Sequence, residues 1–484
     1  MAAEADPDRR ALTHDETTVT RMELEKRTNR LARAYEQLGV KQNDLVTIAL
    51  PNSIEFFESA IACWKLGATP QPVSAKLPAA ELEAIIELAN PPIVVGGPQV
   101  DIGERVQIEP GFGPDPSLPD EPLPERIAAS WKAPTSGGST GRPKIILSGT
   151  RGVTQLGVGG AFGVPHDAVV LVPGALYHNA PFQFAAIGLF RGSHVIVTTR
   201  FDPAQTVELM ERHRVTWMWV VPTMMSRVMR LPEGERLARD VSSVKTVWHG
   251  AAPCPPWVKE AWINWLGGDA VWELYAGTEG QGLCVISGTE WLEHRGSVGR
   301  TVYGKMKVVD ENGNELPSGE IGEIYMLPPE GGKTYSYIGA QAKVLDGHGE
   351  GGAERWESIG DMGWIDDDGY VYLADRRTDL ILAGGANIYP AEVEAALDEH
   401  PMVQTCAVIG LPDEDMGQAV HAIVQTRGEV AEQELRDFLS ERLVRYKLPR
   451  TYEFVDGALR DDAGKVRRSQ LREERIANLT ARKA

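Results

Sequence analysis

The feature that most constrains the fold is an alternation of β-rich runs with helical patterns along much of the 484 residues. DLVTIALP is typical of a strand, and an apolar helical pattern follows from Ile54 to Leu66. Further β-rich runs are PIVVGG, DAVVLVPG, HVIVTT and TWMWVVPT. Between the last two, Asp202 as N-cap and Pro203 predict the start of a helix. This alternation predicts parallel sheets covered by helices, with ligands at the carboxyl ends of the strands.

The length predicts two or three domains. From Glu311 to Tyr325 turns and short strands predict a β-rich subdomain, and the remainder of the chain predicts a compact α+β unit with a helix from about Ala431 to Val444. The charged segment Asp375–Asp379 is typical of an interdomain linker. The predicted fold class is therefore α/β. A large N-terminal domain of parallel-rich sheets with a β-rich subdomain precedes a small, mobile α+β C-terminal domain.

Charge and composition exclude several classes of protein. A formal net charge of -19 argues against binding to nucleic acid or anionic membranes. The four cysteines are far apart and form no C-x-x-C pair, which favours a reducing compartment. The first residues lack an apolar signal region, and no run of about 18 apolar residues predicts a membrane span. We therefore expect a cytoplasmic protein.

A glycine- and hydroxyl-rich stretch, APTSGGSTGRPK from Ala133 to Lys144, is typical of loops that wrap phosphate. It is not a P-loop, because Gly141 is followed by Arg142 and Pro143 and then by the strand-like KIILS. Two other motifs, HGAAP from His249 and ELYAGTEG from Glu273, follow predicted strands. They therefore lie where parallel sheets bind ligands.

These stretches, with YHNAPF from Tyr177 and the block SIGDMG…DRRTD…GGANIYPAEVE, resemble the adenylate-forming superfamily of acyl-CoA synthetases, adenylation domains and luciferases. The five motifs stand in the family's order along nearly the whole chain, and DDAGKVRR resembles its C-terminal Gly-Lys motif. The resemblance implies an N-terminal AMP-binding domain of residues 1–375, a hinge of residues 376–379 with Thr378, and a mobile C-terminal domain of residues 380–484.

The resemblance also implies roles for individual residues. Lys465 would be the adenylation lysine and Glu279 the Mg²⁺ ligand, with Thr278 and His178 beside the reacting groups. ATP and AMP would be bound by Ser136, Gly137, Gly138, Ser139, Thr140, Gly141, Lys144, Gly250, Ala251, Ala252, Glu273, Tyr275, Ala276, Gly277, Asp361 and Arg376. Coenzyme A would pass Gly384 and Gly385, and the acyl pocket would be lined by Phe182, Trp219, Val221 and Trp248.

The implied function is an acid:CoA ligase that uses ATP, Mg²⁺ and coenzyme A on a bulky, hydrophobic carboxylic acid, with no nucleic-acid partner. Whether the protein forms a homodimer is left open. Other interpretations are an enzyme that performs only one of the two half-reactions, or a ligase that loads a separate carrier protein. A luciferase-like oxygenase and a non-catalytic adenylate-binding protein are further alternatives, the latter disfavoured because Glu279, Asp361, Arg376 and Lys465 occur together.

Overall fold

The alternation of strands and helices builds a mixed sheet with a parallel half. The computed structural model describes residues 2–136, 143–153, 162–329, 333–345, 354–376, 378–383, 386–413, 416–461 and 464–483. In this described chain fifteen strands form one sheet, whose parallel half has the order β13–β12–β11–β9–β10–β1, with β2 antiparallel at the edge. These strands are β1 (Arg10–His14), β2 (Thr17–Thr20), β9 (Val169–Val172), β10 (His194–Val197), β11 (Trp217–Val220), β12 (Thr246–Gly250) and β13 (Val271–Ala276).

The antiparallel half continues from β13 in the order β14–β15–β22–β21–β17–β20–β19, with β16 also paired to β17. It contains the predicted β-rich subdomain. Its strands are β14 (Leu283–Ser287), β15 (Ser297–Tyr303), β16 (Lys305–Val309), β17 (Gly322–Leu327), β19 (Lys343–Val344), β20 (Glu357–Ser358), β21 (Asp361–Ile365) and β22 (Tyr370–Arg376).

Two smaller sheets complete the N-terminal part. A parallel sheet has the order β4–β3–β5–β6, and an antiparallel sheet has the order β18–β8–β7. Their strands are β3 (Leu45–Ala49), β4 (Thr69–Pro72), β5 (Ile93–Gly96), β6 (Val106–Ile108), β7 (Thr135–Ser136), β8 (Lys144–Ser148) and β18 (Tyr335–Ile338). Because β7 and β8 pair directly, the predicted phosphate loop connects two strands of a hairpin.

Helices cover these sheets, and two begin where the sequence predicts, at Ile54 and after Asp202. Thr20 and Glu23 form a reciprocal capping box at the start of α2, and the Asp202 side chain accepts from Gln205 N at the start of α6. The helices of the described chain are α1 (Ala2–Ala5), α2 (Arg21–Gln37), α3 (Ile54–Lys65), α4 (Ala79–Ala89), α5 (Asn179–Phe190), α6 (Pro203–Arg212), α7 (Pro222–Met229), α8 (Glu233–Leu237), α9 (Pro256–Leu266), α10 (Gly288–Glu293), α11 (Pro390–Asp398), α12 (Glu432–Ser440) and α13 (Arg468–Lys483). None of them is long and apolar enough to cross a lipid bilayer.

The C-terminal part has its own sheet and its own hydrophobic core. Its strands are β23 (Ile381–Ala383), β24 (Ala386–Ile388), β25 (Val403–Asp413), β26 (Gly417–Thr426) and β27 (Thr451–Phe454). Leu397, Val408, Val424 and Leu435 are among the buried side chains of that core. The helix expected from about residue 431 to 444 is shorter, because α12 ends at Ser440 and a 3₁₀ turn follows at Arg445–Lys447.

Candidate active site

The carboxyl ends of β11, β12 and β13 lie side by side, which confirms that HGAAP and ELYAGTEG leave adjacent parallel strands. At Gly250 a side chain would overlap the carbonyl oxygen of Leu274 on the neighbouring strand. Ala251 has φ of +72°, a left-handed conformation that β-branched or bulky residues rarely adopt. The small residues of this motif are therefore required by the backbone path, which leaves the strand edge open to a ligand.

A lysine, a glutamate and a tyrosine meet beside this edge. Lys144 Nζ lies 3.4 Å from Glu279 Oε1 and donates to the Tyr337 hydroxyl at 3.0 Å, while that hydroxyl donates to Glu279 Oε1. Lys144 Nζ also lies 4.1 Å from the centroid of the Tyr337 ring. Burial and the Glu279 charge raise the pKa of Tyr337, so its hydroxyl keeps its proton. Glu279 is 6% exposed, and this contact with a cation compensates its burial.

A second tyrosine on the same face of β18 supports this arrangement. The Tyr335 hydroxyl donates to Glu357 Oε2 at 2.7 Å, and Gln281 Nε2 donates to the same oxygen at 3.1 Å. Tyr335 and Tyr337 are two residues apart, so their side chains share one face of the strand. Their rings contact edge-to-face at 4.7 Å. The strand therefore holds two parallel tyrosine–carboxylate pairs, of which Tyr337–Glu279 is the one that includes Lys144.

The predicted ribose-binding aspartate lies next to the predicted adenine-flanking tyrosine. The Tyr275 hydroxyl donates to Asp361 Oδ2 at 2.8 Å. The backbone of Asp361 begins β21 opposite Arg376, the last residue of β22. The paired strands thus bring the three predicted nucleotide-binding residues to one place. The structure describes only the backbone of Arg376.

The turn that carries Lys465 is folded against the N-terminal part of the chain. A side chain at Gly464 would lie 2.9 Å from Thr223 Oγ1, at the start of α7. Since α7 follows β11, this turn lies at the carboxyl edge of the same parallel strands. Lys465 N donates to Asp461 Oδ1 at 2.9 Å, and its side chain is exposed. Arg230 Nη1 donates to Gln404 O at 2.8 Å and forms a further contact between the two parts.

An arginine on α13 holds the predicted hinge. Arg468 Nη1 donates to Asp379 Oδ2 at 2.9 Å and lies 3.9 Å from Asp375 Oδ1, and Arg468 also forms a bidentate pair with the buried Glu394. Arg468 and Arg460 lower the pKa of Glu394 against the opposing effect of burial. Thr378 is exposed between these anchored residues. Strand β22 extends to Arg376, so the first two residues of the predicted linker belong to a strand.

Two of the four predicted pocket residues lie together in an aromatic group. The Trp219 ring stacks on Phe184 at 4.7 Å, and Trp248 contacts Phe162 and Trp272 at 5.6 and 5.4 Å. Trp219 is buried and its Nε1 donates to no acceptor in the described chain.

The other two predicted pocket residues point elsewhere. Phe182 stacks on Trp131 and Trp64, on the side of α5 that faces α3. Val221 packs in a separate cluster with Met224 and Val228. The predicted pocket residues therefore lie in three different places: Trp219 and Trp248 in the aromatic group, Phe182 against α3, and Val221 in the cluster with Met224.

His178 lies at the start of α5 as its N-cap residue, with its ring 4.2 Å from that of Tyr177. The helix begins at Asn179, within the YHNAPF motif. Because α5 follows β9, which pairs with β11, its first turn lies at the carboxyl edge of the parallel strands.

Beneath HGAAP lies a buried polar group that includes the predicted site residue Glu273. The Lys259 ammonium on α9 pairs with the Glu273 carboxylate, and His249 Nε2 lies 4.0 Å from Glu273 Oε2. Burial lowers the pKa of His249 to about 4, so the ring is neutral near pH 7. The carboxylate of Glu273 is thus held by α9, on the side of the sheet away from Trp219 and Trp248.

Several predicted residues fall outside what the structure describes. They are five positions of the glycine-rich loop and the two glycines predicted to bind coenzyme A: Gly137, Gly138, Ser139, Thr140, Gly141, Gly384 and Gly385. The loop's flanks, Ser136 and Lys144, lie opposite each other in β7 and β8. Thr278 is half-buried and Ala276 is exposed at the end of β13.

Sequence reasoning missed three side chains of the site region: Tyr337, Thr223 and Lys132. The alternating tyrosines of TYSYIG could have indicated that one strand face carries hydroxyl groups. The partners of Tyr337 and Thr223 lie far away in sequence, so no local pattern indicates the contacts.

The donor set fits Mg²⁺. Glu279 offers carboxylate oxygens at the same edge as Asp361, and hard cations such as Mg²⁺ bind oxygen. In the described residues no three His, Cys, Asp or Glu side chains form a metal-binding cluster. Mg²⁺ at nucleotide sites is usually held by one or two carboxylates together with phosphates, so a single carboxylate such as that of Glu279 fits this requirement.

Comparison with known proteins agrees with this geometry. Residues 1–336 match the model of the AMP-binding enzyme family, and residues 392–465 match that of the AMP-binding enzyme C-terminal domain. A feruloyl-CoA synthase from an Amycolatopsis species is 30% identical, with 97% of this chain and 96% of the relative covered.

Solved structures are similar over the same extent. The o-succinylbenzoate CoA synthetase of Bacillus subtilis with its acyl-adenylate intermediate has a TM-score of 0.81 at 26% identity, covering 97% of this chain and 96% of that one. The same enzyme with ATP and magnesium ion has a TM-score of 0.79 at 25% identity, covering 97% and 98%. The similarity includes both the N-terminal and the C-terminal part.

Proposed function

Because the chain belongs to the AMP-binding enzyme family, we propose that it is an acid:CoA ligase that activates a carboxylic acid as an acyl-adenylate. The observation that carries the proposal is the position of the Lys465 turn on Thr223, at the strand edge that also bears Glu279. A lysine, an acidic group and a nucleotide-binding pair at one edge suit a reaction that gathers negative charge on phosphate.

In the first half-reaction a substrate carboxylate oxygen forms a bond to the α-phosphorus of ATP. The bond to the bridging oxygen breaks, and its electron pair leaves with pyrophosphate. Lys144 and the hydroxyl of Ser136 flank the loop that holds the leaving phosphates, while Lys465 stabilises the charge on the α-phosphate. Asp361 and Tyr275 position the ribose and the adenine. Mg²⁺ at Glu279, when bound, supplies positive charge to the phosphate oxygens.

In the second half-reaction the coenzyme A thiol loses its proton, its sulfur attacks the acyl carbon and AMP leaves. Residues 380–484 rotate about residues 376–379, which withdraws Lys465 and brings Gly384 and Gly385 to the thiol. The Arg468 contacts with Asp375 and Asp379 link α13 to residues at both ends of this hinge and favour the orientation in which the Lys465 turn packs on Thr223. Rotation therefore has to weaken at least one of these two contacts.

The acid that fits this proposal is bulky and hydrophobic. The support is the group Trp219, Trp248, Phe162 and Phe184, which offers flat apolar surfaces near the start of α5. Aromatic surfaces of this kind bury large rings or long chains favourably.

The test is a panel of carboxylic acids in a Mg²⁺- and ATP-dependent assay that separates AMP, ADP, pyrophosphate and acyl-CoA. We expect AMP and pyrophosphate, with the highest kcat/KM for bulky hydrophobic acids and thioester formed only when coenzyme A is present. ADP and inorganic phosphate as primary products would contradict the proposal. Acyl-AMP formation without thioester would favour an enzyme of the first half-reaction alone.

A further inference from the structure

A buried lysine without a counter-charge lies beside the candidate acyl pocket. Lys132 is 5% exposed and directly precedes the segment that leads into β7. Its Nζ donates to Gln183 Oε1 at 2.6 Å and to Asn179 Oδ1, and it lies 4.6 Å from the centroid of the Trp131 ring. In the described chain no carboxylate forms an ion pair with it. Burying an ammonium group without an anion is unfavourable, so this arrangement needs an explanation.

The surroundings of Lys132 favour the binding of an anion. Asn179 is the first residue of α5, and the N-terminus of a helix carries partial positive charge. Burial lowers the pKa of Lys132 to about 7, so that the amine is readily deprotonated when no anion is present. A bound anion would reverse both effects by neutralising the ammonium and the helix end.

The two amides around Lys132 accept from its ammonium group through their oxygens, which leaves their own N–H groups as donors. A lysine has three N–H donors and no acceptor, so the amide oxygens of Asn179 and Gln183 must face it. Their NH₂ groups therefore point away from the ammonium, and in the described residues neither donates to another group. The third N–H of Lys132 and the NH₂ groups of the two amides are the donors left to form a surface for a ligand. A carboxylate accepts hydrogen bonds through both oxygens and matches this surface.

The position of this group separates it from the phosphate end of the site. Gln183 lies one helical turn, about 6 Å, beyond Asn179 along α5 and away from the N-cap His178. The next residue, Phe184, stacks on Trp219. No contact of Lys132 involves Glu279, Lys144 or Asp361. Gln183 thus lies on α5 between Phe182, which stacks on Trp131, and Phe184, which stacks on Trp219. Lys132 therefore borders the aromatic group and contacts none of the residues that would hold the reacting phosphate.

We propose that Lys132, Asn179 and Gln183 bind a second carboxylate on the acid substrate, at the far end of the acyl pocket from the carboxylate that is adenylated. This inference rests on the proposed ligase function and specifies its substrate class as a hydrophobic acid with a distal carboxylate. Lys132 supplies the charge, and the two amides orient the carboxylate. The aromatic group holds the apolar skeleton between the two carboxylates.

The experiment compares matched acids that differ only in the distal group, octanedioate with octanoate and terephthalate with 4-methylbenzoate. AMP release with coenzyme A is measured for the wild type, Lys132→Met, Lys132→Arg and the exposed-lysine control Lys41→Met. We expect the wild type to favour at least one dicarboxylate over its partner. Lys132→Met should raise the KM for that dicarboxylate roughly 10- to 100-fold, the effect of one lost charge-assisted hydrogen bond. The KM for the monocarboxylate should change little, and Lys132→Arg should restore part of the preference.

A pH series on the wild type also tests whether Lys132 binds the distal carboxylate. Binding of a distal carboxylate needs the protonated amine, so the KM for the dicarboxylate should rise above about pH 7 while that for the monocarboxylate stays level. Among the described residues, Lys132 contacts Asn179, Gln183 and the Trp131 ring, none of which titrates. His178 is the N-cap of the same helix, and Lys132→Met reveals any part of the profile that His178 contributes.

Three results overturn the inference. The first is an equal effect of Lys132→Met on both acids, which would mean a structural role or contact with the reacting carboxylate. The second is AMP formation with no preference for either dicarboxylate and no effect of Lys132→Met, which leaves the proposed ligase function intact. The third is absence of AMP with every acid of either class, which contradicts the ligase function and this inference with it.

Discussion

Lys144 Nζ lies 3.4 Å from Glu279 Oε1, although 135 residues separate them, and the Tyr337 hydroxyl contacts both side chains. Lys144 begins the strand after the glycine-rich loop, whereas Glu279 follows β13. The contact thus joins the predicted phosphate loop to the predicted Mg²⁺ ligand. It also gives the buried Glu279 carboxylate a cation partner.

Glu279→Gln keeps the shape of the side chain and removes its charge. We expect acyl-AMP formation to slow roughly 10²- to 10³-fold, because one electrostatic group at the phosphates is lost. The Mg²⁺ concentration for half-maximal rate should rise as well. ATP–pyrophosphate exchange across a Mg²⁺ titration measures both. Glu290→Gln, on α10 with Tyr370 as its partner, is the control and should behave like the wild type. An unchanged Mg²⁺ dependence in Glu279→Gln would remove Glu279 from the metal site.

Tyr337→Phe removes only the hydroxyl that contacts Lys144 and Glu279. We expect kcat/KM for ATP to fall about 10-fold, since one hydrogen bond to charged groups is worth about 1.5–3 kcal/mol. The matched control is Tyr335→Phe, on the same strand face, whose hydroxyl contacts Glu357 instead. Similar losses in the two variants would indicate a shared structural effect and argue against a positioning role for Tyr337.

Lys465→Ala tests the separation of the two half-reactions. Adenylation should slow roughly 10²- to 10³-fold, while substrate affinity changes less, because the contact forms mainly in the transition state. Supplied with preformed acyl-adenylate and coenzyme A, the variant should form thioester at a near-normal rate. Gly385→Leu should show the reverse pattern by crowding the thiol. Single-turnover measurement of each half-reaction checks this, and unimpaired adenylation in Lys465→Ala would refute the assignment.

His249→Phe should make the free energy of unfolding depend less on pH below about pH 6.5. His249 is fully buried, and neither ring nitrogen has a hydrogen-bond partner in the described chain. Burial lowers its folded-state pKa to about 4, with the Glu273 charge opposing and the Lys259 charge adding to that effect. Between about pH 6.5 and pH 4 the unfolded chain therefore binds the proton better, so stability is full above pH 6.5 and falls as the pH decreases.

Titration of His249 changes the free energy of unfolding over that interval by about 3 kcal/mol at most. This follows from its pKa of roughly 6.5 in the unfolded chain and about 4 in the folded protein. Urea unfolding from pH 7 to pH 4 measures it in the wild type, in His249→Phe and in the exposed-histidine control His166→Phe. The wild type and His166→Phe should lose free energy of unfolding more steeply than His249→Phe. Parallel curves for all three proteins would show that His249 does not titrate on unfolding.

The sequence by itself determined the family and the fold class, because both depend on local patterns. Strand and helix periodicity, Asp202 as a cap, and five motifs in order are readable along the chain, and the two family models confirm the resemblance. The patterns also predicted correctly that HGAAP and ELYAGTEG come at the ends of strands, and the sheet order makes those two strands neighbours.

Only the tertiary structure decided which side chains meet. Tyr337 reaches Glu279, and Thr223 contacts Gly464, through pairings of segments far apart in sequence that no local pattern encodes. Phe182 does not lie with the predicted pocket residue Trp219, because the residue of α5 that packs on Trp219 is Phe184. Phe182 and Phe184 are about 200° apart around the helix, so Phe182 faces α3 and Phe184 faces β11. Lys132 was unremarkable in sequence, since an isolated lysine is usually exposed. Its burial among neutral amides follows only from how α5 packs against the segment before β7.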